Sequence, residues 1–218
     1  TTGDFSALQQ MNTEYPIETR TLIEKILQLG RVDDPEISNK FLRYYQDTTL
    51  QILVADTEAE YANMDDINKG LQDAFDKLKK WLPNLLVPRF YAQIGSLDQS
   101  IVVGDKSVGI CLDKYLGEHY PIYKKYYSSS QIESMVRTYI VPDCLSFYLL
   151  SQYPIDNYDS RTQIERDLHM GKVMWVVNKA IGRQFYKTKF VSMVEKFMNS
   201  HKNVTVATLL INDDYSEF

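Results

Sequence analysis

The chain has 218 residues, 44% of them hydrophobic and 12% aromatic. That is enough for a full core and too apolar for a disordered segment. A formal charge of −5 argues against nucleic acid as a partner, since phosphate binding needs a basic face. The two cysteines, Cys111 and Cys144, are too few for a disulfide framework and lack CxxC spacing. They read as buried free thiols, with one bridge between them as the alternative if the chain is exported.

Residues 1 to 15 are polar and read as loosely held. Ile17, Leu22, Ile23, Ile26 and Leu27 recur at helical spacing, so the first predicted helix runs from Pro16 to Leu29, closed by Gly30. Asp33-Asp34-Pro35 is a helix start with Pro in the first turn. Ile37, Phe41, Tyr44 and Tyr45 follow as an apolar stripe, and the run continues toward Tyr61 with a break near Thr48-Thr49. Asp65 or Asp66 is expected to cap the next helix, whose face is Ile67, Leu71, Ala74, Phe75, Leu78 and Leu82; Pro83 ends it.

The sheet signal lies between residues 90 and 113. Phe90 to Ile94 is one segment; two more meet at Gly104-Asp105-Lys106. Ser107 to Leu112 alternates like a half-buried strand, with Val108, Ile110 and Leu112 on one face and Gly109, Cys111 and Asp113 on the other. A small antiparallel or mixed sheet results.

Beyond it the chain reads as helix again. Ser130 and Glu133 have capping-box spacing, and Pro142 either kinks that helix or opens a second. Arg161 to Ile181 is a strong helix with Ile164, Leu168, Val173, Val176 and Val177 facing inward, and a last helix covers Lys187 to Asn199. The tail alternates at Val204, Val206 and Leu209. The expected class is α+β, mostly α-helical, a small mixed or antiparallel sheet packed on helices. One domain spans 1–218, helical over 16–83 and 114–200.

No HExxH, P-loop, GxGxxG or GxSxG is present. Of three histidines, His119 and His201 sit in polar turns, whereas His169 follows Glu165 by four residues, on one helix face. Two ligands so spaced can share a metal, but metal sites need three or four, and the pair reads as an ordinary helix surface. Asp143 beside Cys144 is a weak nucleophile-or-base candidate without a nearby His. Asp156, Asp159, Asp213 and Asp214 lie in loops without DxDxDG order. No catalytic residue, metal or cofactor is therefore assigned; Asp143, Glu165 and His169 stand as the weak catalytic candidates. The run YPIYKKYY supplies the binding candidates Tyr120, Tyr123, Tyr126 and Tyr127, aromatic bodies with polar tips suited to a sugar or peptide, with a cover for the sheet edge as the plainer alternative.

Several segments together resemble the gliding-motility lipoprotein GldB and its relatives in Bacteroidetes. They are DAFDKLKKWLPN (73–84), YAQIGSLDQSIVVGDKSVGICLDKYLGEHYPIYK (91–124), TYIVPDCLSFYLLSQYP (138–154), HMGKVMWVVNKAI (169–181) and, more weakly, FVSMVEKFMNSHKNVTVATLLIND (190–213). VGDKSVGICLDKYLG is the most specific. The resemblance implies an exported, periplasmic or outer-membrane-attached lipoprotein whose anchor cysteine lies upstream of Thr1. It also implies a fold akin to gluzincin-type zinc metallopeptidases, a zincin-like architecture. The helix that would carry HExxH is the one around Ile140 to Leu150, which reads IVPDCLSFYLL and offers no His. A longer insertion is expected between the last two helices of such proteins, where Gly182-Arg183-Gln184 joins them almost directly.

The function expected is that of a non-catalytic, peptidase-like envelope scaffold or binding module with an envelope protein or glycan partner, touching the membrane only through its anchor. The alternatives are a hydrolase with a non-standard site built from Asp143, His169, Glu165 and nearby Tyr, or a small-ligand or glycan-binding protein using the tyrosine run.

Overall fold

The structure, a computed structural model, describes residues 6–95 and 97–218. In chain order the helices are α1 (Ser6–Glu14), α2 (Pro16–Thr21), α3 (Ile37–Tyr45), α4 (Thr48–Glu60) and α5 (Asp65–Trp81). Strands β1 (Arg89–Gln93), β2 (Ile101–Val103) and β3 (Ser107–Cys111) follow. Then come α6 (Ser129–Ile132), α7 (Ile140–Gln152), α8 (Gln163–Ile181), α9 (Lys189–Ser200) and α10 (Val206–Ile211). The class is α+β, mostly helical with one small mixed sheet.

Two compact units share these elements. The first comprises the chain up to Asn63 with Phe90–Arg137; the second comprises Met64–Arg89 with Thr138–Phe218.

In the first unit Pro16 opens α2, its fixed φ and missing N–H suiting the first turn. A π-type turn, Leu22–Ile26, continues it, closed by Leu27 N–H on the Leu22 carbonyl at 2.8 Å. Widening the turn buries Leu22, Ile23, Ile26 and Leu27 together, a broader apolar front than an α-helical stripe presents. Leu8 of α1 packs with Ile23 and Ile37, so Ser6–Glu14 is helix where a loose lead-in was expected; residues 1–5 of that expectation lie outside the described residues. Asp47 breaks α3 from α4 by accepting the Leu50 N–H at 2.9 Å.

The sheet order is β1-β3-β2, with β2 and β3 antiparallel in the register Ile101 to Ile110 and Val103 to Val108. β3 is therefore central. Val108 through Asp113 are all buried, so the expected half-buried alternation gives way to a strand covered on both faces. At Gly109 a Cβ would stand 2.8 Å from the Tyr91 ring, which is why that position carries no side chain.

In the second unit the α5 face Ile67, Leu71, Ala74, Phe75 and Leu78 is buried, and α5 packs on α7 and α8. Met64 stands at the N-cap, with Asp65 and Asp66 inside the first turn rather than capping it. The Thr162 hydroxyl accepts the Glu165 N–H while the Glu165 carboxylate accepts the Thr162 N–H at 2.7 Å, a capping box that starts α8 two residues after the expected Arg161. Gly182, with φ of 75°, ends it. α8 packs on α9 closely, since a Cβ on Gly171 would meet Phe190 Cβ at 2.7 Å.

Four local expectations shift. The capping box before α6 uses Ser128 and Gln131, two positions earlier, because the Gln131 side chain reaches the Ser128 N–H at 3.0 Å. Pro142 is the third residue of α7, inside the first turn where its missing N–H costs nothing. Ile164 is 63% exposed, on the outer side of the first turn of α8. The alternating tail is the short helix α10, capped by Thr205 on the Thr208 N–H, with Leu209 and Leu210 buried.

Candidate functional site

The loop after β1 and the turn after β3 are joined through Asp113. Its fully buried carboxylate accepts the Gly95 N–H at 2.8 Å and the Leu97 N–H at 2.6 Å. Burial pushes its pKa up, opposed by these bonds. The neighbouring Lys114 ammonium donates to the Leu97 carbonyl at 3.0 Å and to the Tyr127 hydroxyl at 2.8 Å, and lies 3.9 Å from the Tyr127 ring centroid. Tyr127 itself donates to the Leu97 carbonyl. Tyr123 donates to the Asp113 carbonyl at 2.6 Å and accepts the Leu116 N–H at 2.8 Å. The stretch most specific to the resemblance thus ties a loop, a turn and two tyrosines into one network.

Beside this network, within the first unit, opens a cleft of about 660 Å³. Its apolar wall includes Leu50, Leu53, Leu97 and Ile122; Tyr126 and Tyr127 stand on one side, and Arg43, Asp47 and Asp98 bring charge. Tyr44 also lines it. Among the described residues the buried Tyr44 hydroxyl has no hydrogen-bond partner, and burial raises its pKa, so it stays protonated and able to donate. A buried hydroxyl left unpaired costs about 1–3 kcal/mol. An apolar wall with a few convergent polar groups is what a small-ligand or side-chain site requires.

The four candidate tyrosines divide. Tyr126, 66% exposed, and Tyr127 line the cleft. Tyr123 is fully buried and serves the core. Tyr120 donates to the Asp56 carboxylate at 2.8 Å and packs its ring on Tyr123, 5.1 Å between centroids. Tyr44 was read from the sequence only as part of an apolar stripe; helical spacing cannot distinguish a ring facing the core from one facing a cleft.

The three weak catalytic candidates lie in the second unit, and each is engaged in the structure. The Asp143 carboxylate accepts from the Tyr186 hydroxyl at 3.2 Å. Glu165 is engaged by Thr162 and by Arg161 at 3.1 Å, and these contacts hold its pKa down. His169 is buried, with Nδ1 3.1 Å from the Tyr215 hydroxyl and Nε2 2.8 Å from the Tyr153 carbonyl. Burial and the nearby Lys172 lower its pKa. Glu165 and His169 share a helix face, yet one closes the capping box and the other holds the tail. Among the described residues no group of three or more His, Cys, Asp or Glu side chains is placed to hold a metal ion.

That tail clamp is the least expected polar cluster. Lys172, fully buried, donates to the Asn212 carbonyl at 2.5 Å and sits 4.3 Å from the Tyr215 ring centroid. Burial brings its pKa down to about 8. Arg161 pairs with Asp213 and covers the same ring at 5.2 Å. Cys111 and Cys144 are free and buried; burial raises both thiol pKa values, that of Cys111 to about 12, so neither is a ready nucleophile. No described helix is long and apolar enough to cross a membrane.

The family model described as gliding motility protein GldB matches residues 1–190. No curated protein and no solved structure matches the chain.

Proposed function

This chain belongs to the gliding motility protein GldB family, and from that premise we propose that it is a non-catalytic binding module of the cell envelope. The first unit's cleft would take an envelope protein or glycan group. The carrying observation is the tyrosine-sided cleft itself, an apolar wall to which Arg43, Asp47 and Asp98 bring charge, the arrangement that holds a small group by shape and orients it by a few polar contacts.

Family membership supports a gliding-motility-associated lipoprotein. The periplasmic or outer-membrane placement, with a lipid on a cysteine upstream of Thr1, is part of the proposal. So is a zincin-like ancestry. In its favour, α7 stands where the resemblance puts the metal-binding helix, and its residues include Asp143 and Cys144 but no His. The non-catalytic reading is supported by the structural work these side chains already do: Glu165 closes the capping box of α8 and His169 ties the Tyr153 carbonyl to Tyr215.

The test is complementation of a gliding strain that lacks its own family member. Tyr126→Ala combined with Arg43→Glu is expected to impair gliding at normal protein abundance, while Asp143→Asn and Glu165→Gln retain it. Loss of gliding in either carboxylate variant, with the cleft variant fully active, would overturn the reading.

A further inference from the structure

The second unit carries a cleft of different character. Asn178, near the end of α8, is buried and spends its side chain on the connector that follows. Its Oδ1 accepts the Phe185 N–H at 3.0 Å and the Tyr186 N–H at 2.9 Å, and its Nδ2 donates to the Tyr186 carbonyl at 2.8 Å. Thr188 then caps α9 by accepting the Val191 N–H. The short connection noted in the sequence is therefore tied down from both sides, and a cleft of about 670 Å³ lies at the α8–α9 corner.

Four cations, Lys179, Arg183, Lys187 and Lys196, line this cleft with one carboxylate, Glu195, a net of +3 in a chain whose total is −5. Glu195 is already taken, by Lys179 at 3.2 Å and by the Trp175 indole N–H. Among the described residues Arg183, Lys187 and Lys196 pair with no carboxylate. A fifth cation is close: a Cβ on Gly182 would stand 3.2 Å from the Lys77 Nζ of α5. Ser192 and Gln184 add neutral polar groups to the lining. Concentrating positive charge on a concave surface raises the local potential and favours a compact anion. Arg supplies planar, bidentate donors and Lys supplies point charges, the combination that recognises phosphate oxygens.

We infer that this corner is a binding site for a phosphate-bearing anion, either the headgroup of an anionic lipid or a soluble phosphoester. It lies outside the cleft discussed above and does not depend on that cleft's role. An extended acidic peptide fits less well, because the cations line one cleft of about 670 Å³, a volume suited to a compact group.

The test uses the full chain with sedimentation on vesicles of phosphatidylcholine with and without phosphatidylglycerol, and titration with glycerol phosphate followed through Trp175 fluorescence in a Trp81→Phe background. The variant is Arg183→Glu with Lys187→Glu, both exposed. The control is Lys124→Glu with Lys125→Glu, exposed in the first unit, with the same change in net charge. Binding to anionic vesicles or to glycerol phosphate is expected to fall at least tenfold in the variant, less than twofold in the control, and to weaken with salt. Binding to vesicles alone identifies a headgroup; competition by glycerol phosphate identifies the free ester. Three outcomes would overturn the proposal: no phosphate probe binding above neutral vesicles, equal losses in variant and control, or binding of a poly-glutamate peptide with none of the phosphate probes.

Discussion

Lys172→Met isolates the energetics of the tail clamp. Burial takes the Lys172 ammonium from its ordinary 10.5 to about 8, with Arg161 pushing the same way and Asp213 opposing. A lysine whose folded pKa is depressed is a charge the folded state holds reluctantly. Below pH 8 both states are protonated and the full penalty applies. Between pH 8 and 10.5 the folded protein releases the proton while the unfolded chain keeps it, so stability rises with pH. From these two pKa values the rise between pH 7 and pH 10 is about 2–3 kcal/mol. Tyrosines and cysteines titrate in the same range, so the useful quantity is the difference between wild type and variant. Methionine keeps much of the stem's packing and removes the charge, while the Asn212 carbonyl loses its donor. At pH 7 the variant is therefore expected to lie within about 2 kcal/mol of wild type, on either side. As pH rises to about 10, the wild type should gain about 2–3 kcal/mol relative to Lys172→Met. Urea titrations at several pH values, read by the fluorescence of Trp81 and Trp175, measure this directly. A difference that stays flat from pH 7 to pH 10 would refute the reasoning, because Lys172 would then titrate as an exposed lysine does.

Tyr44→Phe removes a buried hydroxyl without a partner; the urea midpoint is expected to hold or rise, by at most about 1–3 kcal/mol in stability, and a fall would mean the hydroxyl is bonded. Asn178→Ala deletes three hydrogen bonds to the α8–α9 connector and is expected to cost about 2–4 kcal/mol, with faster amide exchange at Phe185 and Tyr186. Gly171→Ala would gain about 1 kcal/mol from helix propensity alone, but its Cβ meets Phe190 at 2.7 Å, so calorimetry should show a net loss of about 1–3 kcal/mol.

The sequence shows most clearly those elements whose signals are local. The buried face of α5 is spelled out at helical spacing, and the apolar segments from Phe90 to Leu112 are bounded by turn residues, so both were legible. α10 was misread because Val204, Val206 and Leu209 alternate by accident, while the Thr205 cap that decides the matter is one hydroxyl on one N–H. β3 looked half-buried because its own sequence does not say that strands lie on both sides. Tyr123 was grouped with Tyr126 since both belong to one aromatic run; a bond to the Asp113 carbonyl ten residues away sends one inward. The first cleft joins α3, the start of α4 and the Leu97 loop. The basic corner gathers Lys77 with Lys179 and Arg183, about a hundred residues apart. Neither leaves a motif, because proximity in space was the whole of the signal.

The interleaving of the two units constrains synthesis as well as architecture. α5 is made early, yet the helices that cover its apolar face, α7 and α8, begin at Ile140 and Gln163. At about 5–20 residues per second, Ile67, Leu71, Phe75 and Leu78 wait several seconds before their lasting neighbours exist. During that interval this apolar face stands without α7 and α8 against it. Because each unit is made from two separate stretches, no single cut releases either one whole, and a fragment ending near Arg137 would carry α5 without α7 and α8.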